Sequence, residues 1–183
     1  MIKDIERERA DFNFRAIQPY VPRSAHVLEV GAPSGDLGEI LRERAGCDTT
    51  SLGQFSGGTL SRESKCFDVV LLLHVLHLTV DDEKLLEEAR RACKDGGCVI
   101  VAEDSVDGFW DRLVTAGFHL RRQRMTRLKR DGRFRTMAGW CALFQKAGFV
   151  VDWTVCLGRH LGRRLWPNNI LFVLSKSHVS VPV

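Results

Sequence analysis

A short apolar run followed by an amphipathic helix recurs along this chain, and that alternation constrains its fold more than any other feature. Val27 to Val30 is the first run, followed by a helix with Leu37, Ile40 and Leu41 on one face and Gly46 just past its end. Asp68 to Leu73 is a second, continuously apolar after its first residue. Asp81 and Asp82 open the helix after it, where capping and the helix dipole favour acids. Leu85, Leu86, Ala89, Ala92 and Cys93 line one face of that helix, and Gly96 and Gly97 are expected to end it. Cys98 to Ala102 is a third buried strand. Strands that read as solid apolar runs belong to a parallel sheet covered on both faces.

The remaining stretches fit around this frame. A helix is expected over about 3–18, ending before Pro19. Thr49 to Leu52 is a weak strand, and Gly53 to Ser61 is a Gly/Ser-rich loop. Asp107 to Gly117 reads as helix, and the basic stretch after it is ambiguous. Thr136 caps a further helix with Met137, Trp140, Cys141, Phe144 and Ala147 at helical spacing, stopped by Gly148. Phe149 to Val155 and Ile170 to Ser175 are two final strands. With 183 residues, 44% of them hydrophobic, residues 1–183 read as a single domain.

Several classes are excluded. Met1 to Arg9 alternates acid and base where a secretory signal needs an apolar stretch, and Val69 to Leu73 is too short to span a bilayer. A cytoplasmic protein is expected. The six cysteines stand at irregular spacings with no Cys-x-x-Cys pair, so they read as free structural thiols and no metal site is expected. The net charge of +4 is uneven: from 119 to 135 eight basic residues face Asp131 alone, a net of +7, which leaves −3 on the rest. That segment is either a solvated loop or a surface for an anionic partner. Phe134 is its only aromatic residue, so a base-stacking platform for nucleic acid is not favoured.

In an open parallel sheet, ligands bind beyond the carboxyl ends of the strands. The first such end reads Val27-Leu28-Glu29-Val30-Gly31-Ala32-Pro33-Ser34-Gly35-Asp36. Gly31 and Gly35 let the backbone turn sharply and lie close to a ligand. The amides that open the next helix can meet a carboxylate or hydroxyl. Glu29 in a buried strand is costly unless paired, and its placement suits an acid that supports a cationic ligand. A tight turn that binds nothing is the plainer alternative.

This stretch resembles the first motif of class I S-adenosylmethionine-dependent methyltransferases. Phe67 to His77 with Leu85 to Arg91 and Asp95-Gly96-Gly97, and then Phe134 to Thr136 with Trp140, Leu143-Phe144 and Ala147 to Phe149, are similar to the same family. The stretches follow one another in the family's order over most of residues 20–176. The resemblance implies a Rossmann-like α/β fold: a mostly parallel twisted sheet with helices on both faces and a final antiparallel strand. It implies S-adenosyl-L-methionine as cofactor, held in a cofactor half of about 24–104, with a lid and C-terminal half of about 105–176. The positions it marks for the cofactor are Glu29, Gly31, Ala32, Ser34, Gly35, Leu73 and His74.

Three departures stand out. The loop's middle glycine is Pro33, which removes an amide donor. No acid ends the second strand where the family grips the ribose, leaving Gln54 as the substitute. From Gln54 to Phe67 there are too few residues for the usual helix plus strand, so the third strand is expected to be shortened or missing. His74 and His77 follow the strand that ends at Leu73, a position that in the family lies beside cofactor and substrate. Methyl transfer needs alignment, plus a base if the nucleophile carries a proton, and either histidine is a candidate. The alternative is that they only pack or bond the backbone. Glu103-Asp104-Ser105, after the third buried strand, is read as a cap for the next helix rather than as part of a pocket. Two functions stay open: a methyltransferase acting on a small molecule, and a degenerate methyltransferase-like module that binds or regulates a partner.

Overall fold

The structure, a computed structural model, describes residues 2–31, 36–53, 55, 59–61, 63–126, 133–159 and 167–177. Ala32, Ser34, Gly35 and Gln54 lie outside the described residues, as do Pro33 and residues 127–132 of the basic segment. The elements run α1 (Ile2–Ile17), β1 (His26–Val30), α2 (Asp36–Ala45), β2 (Asp48–Leu52), β3 (Phe67–Leu73), α3 (Asp82–Ala92), β4 (Cys93–Ser105), α4 (Phe109–Thr126), α5 (Met137–Lys146), β5 (Phe149–Arg159) and β6 (Asn168–Lys176). Short 3₁₀ turns cover Gln18–Tyr20 and Leu76–Leu78.

One six-stranded sheet takes the order β2-β1-β3-β4-β6-β5. The β2/β1, β1/β3 and β3/β4 pairs are parallel, and β4/β6 and β6/β5 are antiparallel. This is the expected Rossmann-like architecture with its antiparallel end. Among the described residues no strand lies beyond β2.

Strand pleating distributes the apolar side chains to two cores. Leu28, Val30, Val70, Leu72, Val99, Val101 and Phe172 face α3 and α5, whose Leu85, Leu86, Ala89, Trp140 and Phe144 are buried against them. Val27, Val69, Leu71, Ile100 and Val173 face α1 and α2, which contribute Phe14, Ile17, Ile40 and Leu41. Glu29 sits between Leu28 and Val30, so the same pleat turns its carboxylate to the α2 side.

Helix starts follow the capping signals. Asp81 accepts from the amide of Lys84 at 2.9 Å, and Thr136 accepts from the amide of Gly139 at 3.1 Å. Two boundaries differ from expectation. Helix α3 stops at Ala92, because Cys93 already takes extended angles (φ −68°, ψ 140°). Gly96 and Gly97 therefore belong to the start of β4. A Cβ on Gly97 would stand 2.6 Å from the carbonyl of Asp68, so glycine serves the close strand approach there rather than a helix end. Strand β4 also continues past Ala102 through Glu103, Asp104 and Ser105, which pair with Ile170, Asn169 and Asn168 of β6. These three residues are buried strand positions and not a helix cap, a correction with consequences for the site. Helix α4 extends to Thr126, into the basic stretch. Among the described residues no helix is long and apolar enough to cross a membrane.

Candidate functional site

The chain leaves β1 for β2 on one side and then crosses to β3 on the other, which opens a crevice where β1 and β3 end. Gly31 lies at its floor. Its amide reaches the carbonyls of Leu52 at 3.0 Å and Gly53 at 3.2 Å, fixing the turn to the end of β2. Its φ is +96°, and a Cβ there would stand 2.8 Å from Val75 Cβ and 3.3 Å from the carbonyl of Leu73. Glycine is required on both counts. Gly31 is thereby pressed against the turn after β3. The side chain of Leu73 packs into the core on the α2 side, so what it offers the crevice is backbone.

Glu29 is 1% exposed. Its Oε2 accepts from Ser51 Oγ at 3.0 Å, and the Gly38 amide of α2 donates to the same carboxylate. Burial pushes its pKa above the ordinary glutamate value, opposed in part by these two hydrogen bonds and by Arg42. The carboxylate thus joins β1, β2 and the first turn of α2.

The end of β3 carries the two histidines into different settings. His74 adopts φ +53°, a left-handed conformation uncommon outside glycine. Its amide is bonded to the carbonyl of Ala102 at 2.8 Å. Its Nδ1 lies 3.7 Å from Asp104 Oδ1, with the two side chains 13% and 7% exposed. His77 is buried in the 3₁₀ turn. Its Nδ1 lies 2.5 Å from Glu103 Oε2, while Glu103 Oε1 accepts from the Leu76 amide at 2.7 Å. The His77 ring stacks on Phe134 at 5.1 Å, and its carbonyl accepts from the Arg133 amide at 3.0 Å.

Each histidine is therefore matched to a carboxylate of β4. The parallel register explains the pairing: Leu73 stands opposite Ala102, so the residues after each reach the same height. Sequence reasoning missed Glu103 and Asp104 as partners. The signal was the apolar run Val99 to Ala102 continuing straight into two acids, level with two histidines across the sheet. A second polar layer closes this end. Arg135 pairs with the buried Asp82 at 2.7 Å and lies over Trp140 at 4.9 Å. Trp140 Nε1 donates to the carbonyl of Asp104 at 3.1 Å. Among the described residues no three potential ligands are grouped to hold a metal ion.

The family described as "Methyltransferase domain" matches residues 5–153 of this chain. Solved structures share the fold. A chain of the complex between the Haloferax volcanii Trm112 methyltransferase activator and a methyltransferase is 16% identical. That alignment covers 96% of this chain and 95% of the other, with a TM-score of 0.71. A SAM-dependent methyltransferase from Methanosarcina mazei is 16% identical over 88% of this chain and 97% of its own, with a TM-score of 0.66. Another SAM-dependent methyltransferase, from Thermotoga maritima, is 19% identical over 93% and 92%, with a TM-score of 0.59. No curated protein matches the sequence.

Proposed function

This chain belongs to the methyltransferase domain family, as a class I methyltransferase, and from that premise we propose that it uses S-adenosyl-L-methionine to methylate a small-molecule acceptor in the cytoplasm. The observation that carries the reading is Gly31. Its amide is bound to the end of β2 and its missing Cβ admits the turn after β3, which leaves a backbone-lined cradle at the switch point of the sheet.

Gly31, Ala32, Ser34 and Gly35 would hold the methionine portion of the cofactor against the amides that open α2. Glu29 beneath them supplies a negative field suited to its cationic end. Leu73 and His74 would border it through the backbone at the end of β3, and Gln54 would contact the ribose. When bound, the cofactor presents an electrophilic methyl group on a sulfonium.

The chain's own task is to align the acceptor and, where the nucleophile carries a proton, to take it. His74 suits that role better than His77. It stands at the strand end with partial exposure, its Nδ1 3.7 Å from Asp104 Oδ1. His77 is held inside by Glu103 and Phe134, and positions the turn that His74 leads into. The 133–137 segment, tied to Asp82 and β4, closes the same end.

Calorimetric titration with S-adenosylmethionine and S-adenosylhomocysteine tests the reading. Saturable binding with an accompanying rise in melting temperature is expected. No binding and no stabilisation at millimolar ligand would leave a methyltransferase-like module that serves as a binding partner.

A further inference from the structure

The bend after β3 falls on a residue poorly suited to it. His74 has φ +53°, a left-handed backbone that costs energy in any residue with a Cβ and persists only where the surroundings impose it. Here they do. The His74 amide is bonded to the carbonyl of Ala102 at 2.8 Å. The residues on either side both meet Gly31, where a Cβ would stand 3.3 Å from the Leu73 carbonyl and 2.8 Å from Val75 Cβ. Glycine or asparagine would make this bend more readily. A histidine there needs a use for its ring, and its place between Leu73 and Val75 puts it beside the glycine turn.

Asp104 faces that ring. His74 Nδ1 lies 3.7 Å from Asp104 Oδ1, and the Asp104 side chain is 7% exposed. A buried acid is costly unless it serves a partner. The backbone that carries it is held on two sides: Asp104 pairs with Asn169 in the β4/β6 ladder, and its carbonyl accepts from Trp140 Nε1 at 3.1 Å. The contact is in ion-pair range but longer than a direct hydrogen bond, and catalytic contacts of this kind commonly shorten once substrate is in place. The neighbouring pair is committed elsewhere. Glu103 already accepts from the Leu76 amide, and the His77 side chain is 1% exposed.

We propose that Asp104 is a positioning residue for His74. Its carboxylate accepts from Nδ1–H, which fixes the orientation of the ring and the tautomer whose lone pair is on Nε2. That nitrogen takes the acceptor's proton. As the nucleophile's bond to the methyl carbon forms, the carbon–sulfur bond breaks and its electron pair stays on sulfur. The proton ends on Nε2, and Asp104 remains ionised. The role has a use only for an acceptor that binds with its nucleophile protonated, a hydroxyl being the plainest case. The proton-transfer step rests on the methyltransferase reading, whereas the pairing that fixes the tautomer does not.

The test is a long-range proton–nitrogen correlation spectrum of the full chain carrying isotope-labelled histidine. His74 is assigned by the resonances that vanish in His74→Asn, since asparagine tolerates the left-handed bend. On the high-pH plateau, where imidazole is neutral, the wild type is expected to carry the proton on Nδ1. Asp104→Asn keeps the shape but can offer the ring an amide donor, so the proton is expected to move to Nε2 and the two nitrogen shifts to exchange. A merely structural Asp104 would leave the tautomer as it was. Wild-type His74 with its proton on Nε2 overturns the proposal even if Asp104→Asn fails to fold, and so does an Nδ1 proton that survives the substitution. Calorimetry with S-adenosylmethionine separates this failure from that of the parent reading. Saturable binding with the proton on Nε2 would overturn the proposal alone, and no binding by a wild type with the proton on Nδ1 would overturn the proton-transfer step together with the methyltransferase reading.

Discussion

At the scale of single residues, Glu29, a proposed cofactor contact, shows how a buried acid works against stability. Its carboxylate is buried and its pKa raised, chiefly by desolvation, so folding penalises the charged form more than the protonated one. The stability tied to that proton is fully present below the ordinary glutamate pKa and is lost as pH rises through the raised value. Glu29→Gln, which keeps an acceptor for Ser51, is therefore expected to raise the urea midpoint at neutral pH. The gain should shrink as pH falls below the usual glutamate range. S-adenosylmethionine affinity should move the other way, since a charged hydrogen bond in such a site is worth roughly 1.5–3 kcal/mol. A midpoint that falls at neutral pH would show that the charge is stabilised in place and contradict this account. Glu29 was legible in the sequence because a lone acid in an apolar strand is conspicuous. Its attachment to Ser51 and Gly38 was not, because both partners come from other elements.

At the scale of elements, the junction between β4 and the turn after β3 depends on Glu103. One carboxylate group accepts from the Leu76 amide and faces His77 Nδ1, and Glu103 itself is fully buried. Removing one partner of a buried polar pair leaves the other without compensation, at a cost of about 3–5 kcal/mol. Against a typical domain stability of about 5–15 kcal/mol, Glu103→Ala should be strongly destabilised and Glu103→Gln less so, because the amide oxygen still serves Leu76. Urea unfolding of the two variants checks this order. Equal midpoints for Glu103→Ala and wild type would remove the junction's importance. The sequence marked the starts of α3 and α5 correctly, since a capping side chain acts within its own turn. It misplaced the end of α3 and the end of β4 because those boundaries answer to a neighbouring strand. The carbonyl of Asp68 decides where Gly97 is needed, and β6 pairs Glu103 to Ser105 into the sheet.

At the scale of the whole molecule, protection is distributed unevenly. Strands β1, β3 and β4 are paired on both sides and buried between two cores, whereas among the described side chains of α4 only Thr115 is buried. Hydrogen exchange should therefore find the amides of α4 opening well before those of β3. Protection of α4 equal to that of β3 would show that the helix is held by more than its Thr115 side. The sequence by itself determined the class of fold and the order of its elements. Apolar periodicity, capping residues and glycine turns are local signals, and their succession leaves a parallel sheet covered by helices as the consistent solution. It also located the glycine turn and the two histidines. Only the tertiary structure decided what each histidine faces and which side of α4 is buried. Those outcomes depend on strand register and on the packing of segments distant in sequence. A shift of one residue in register would have turned Glu103 and Asp104 to opposite faces without changing any local preference that the sequence displays.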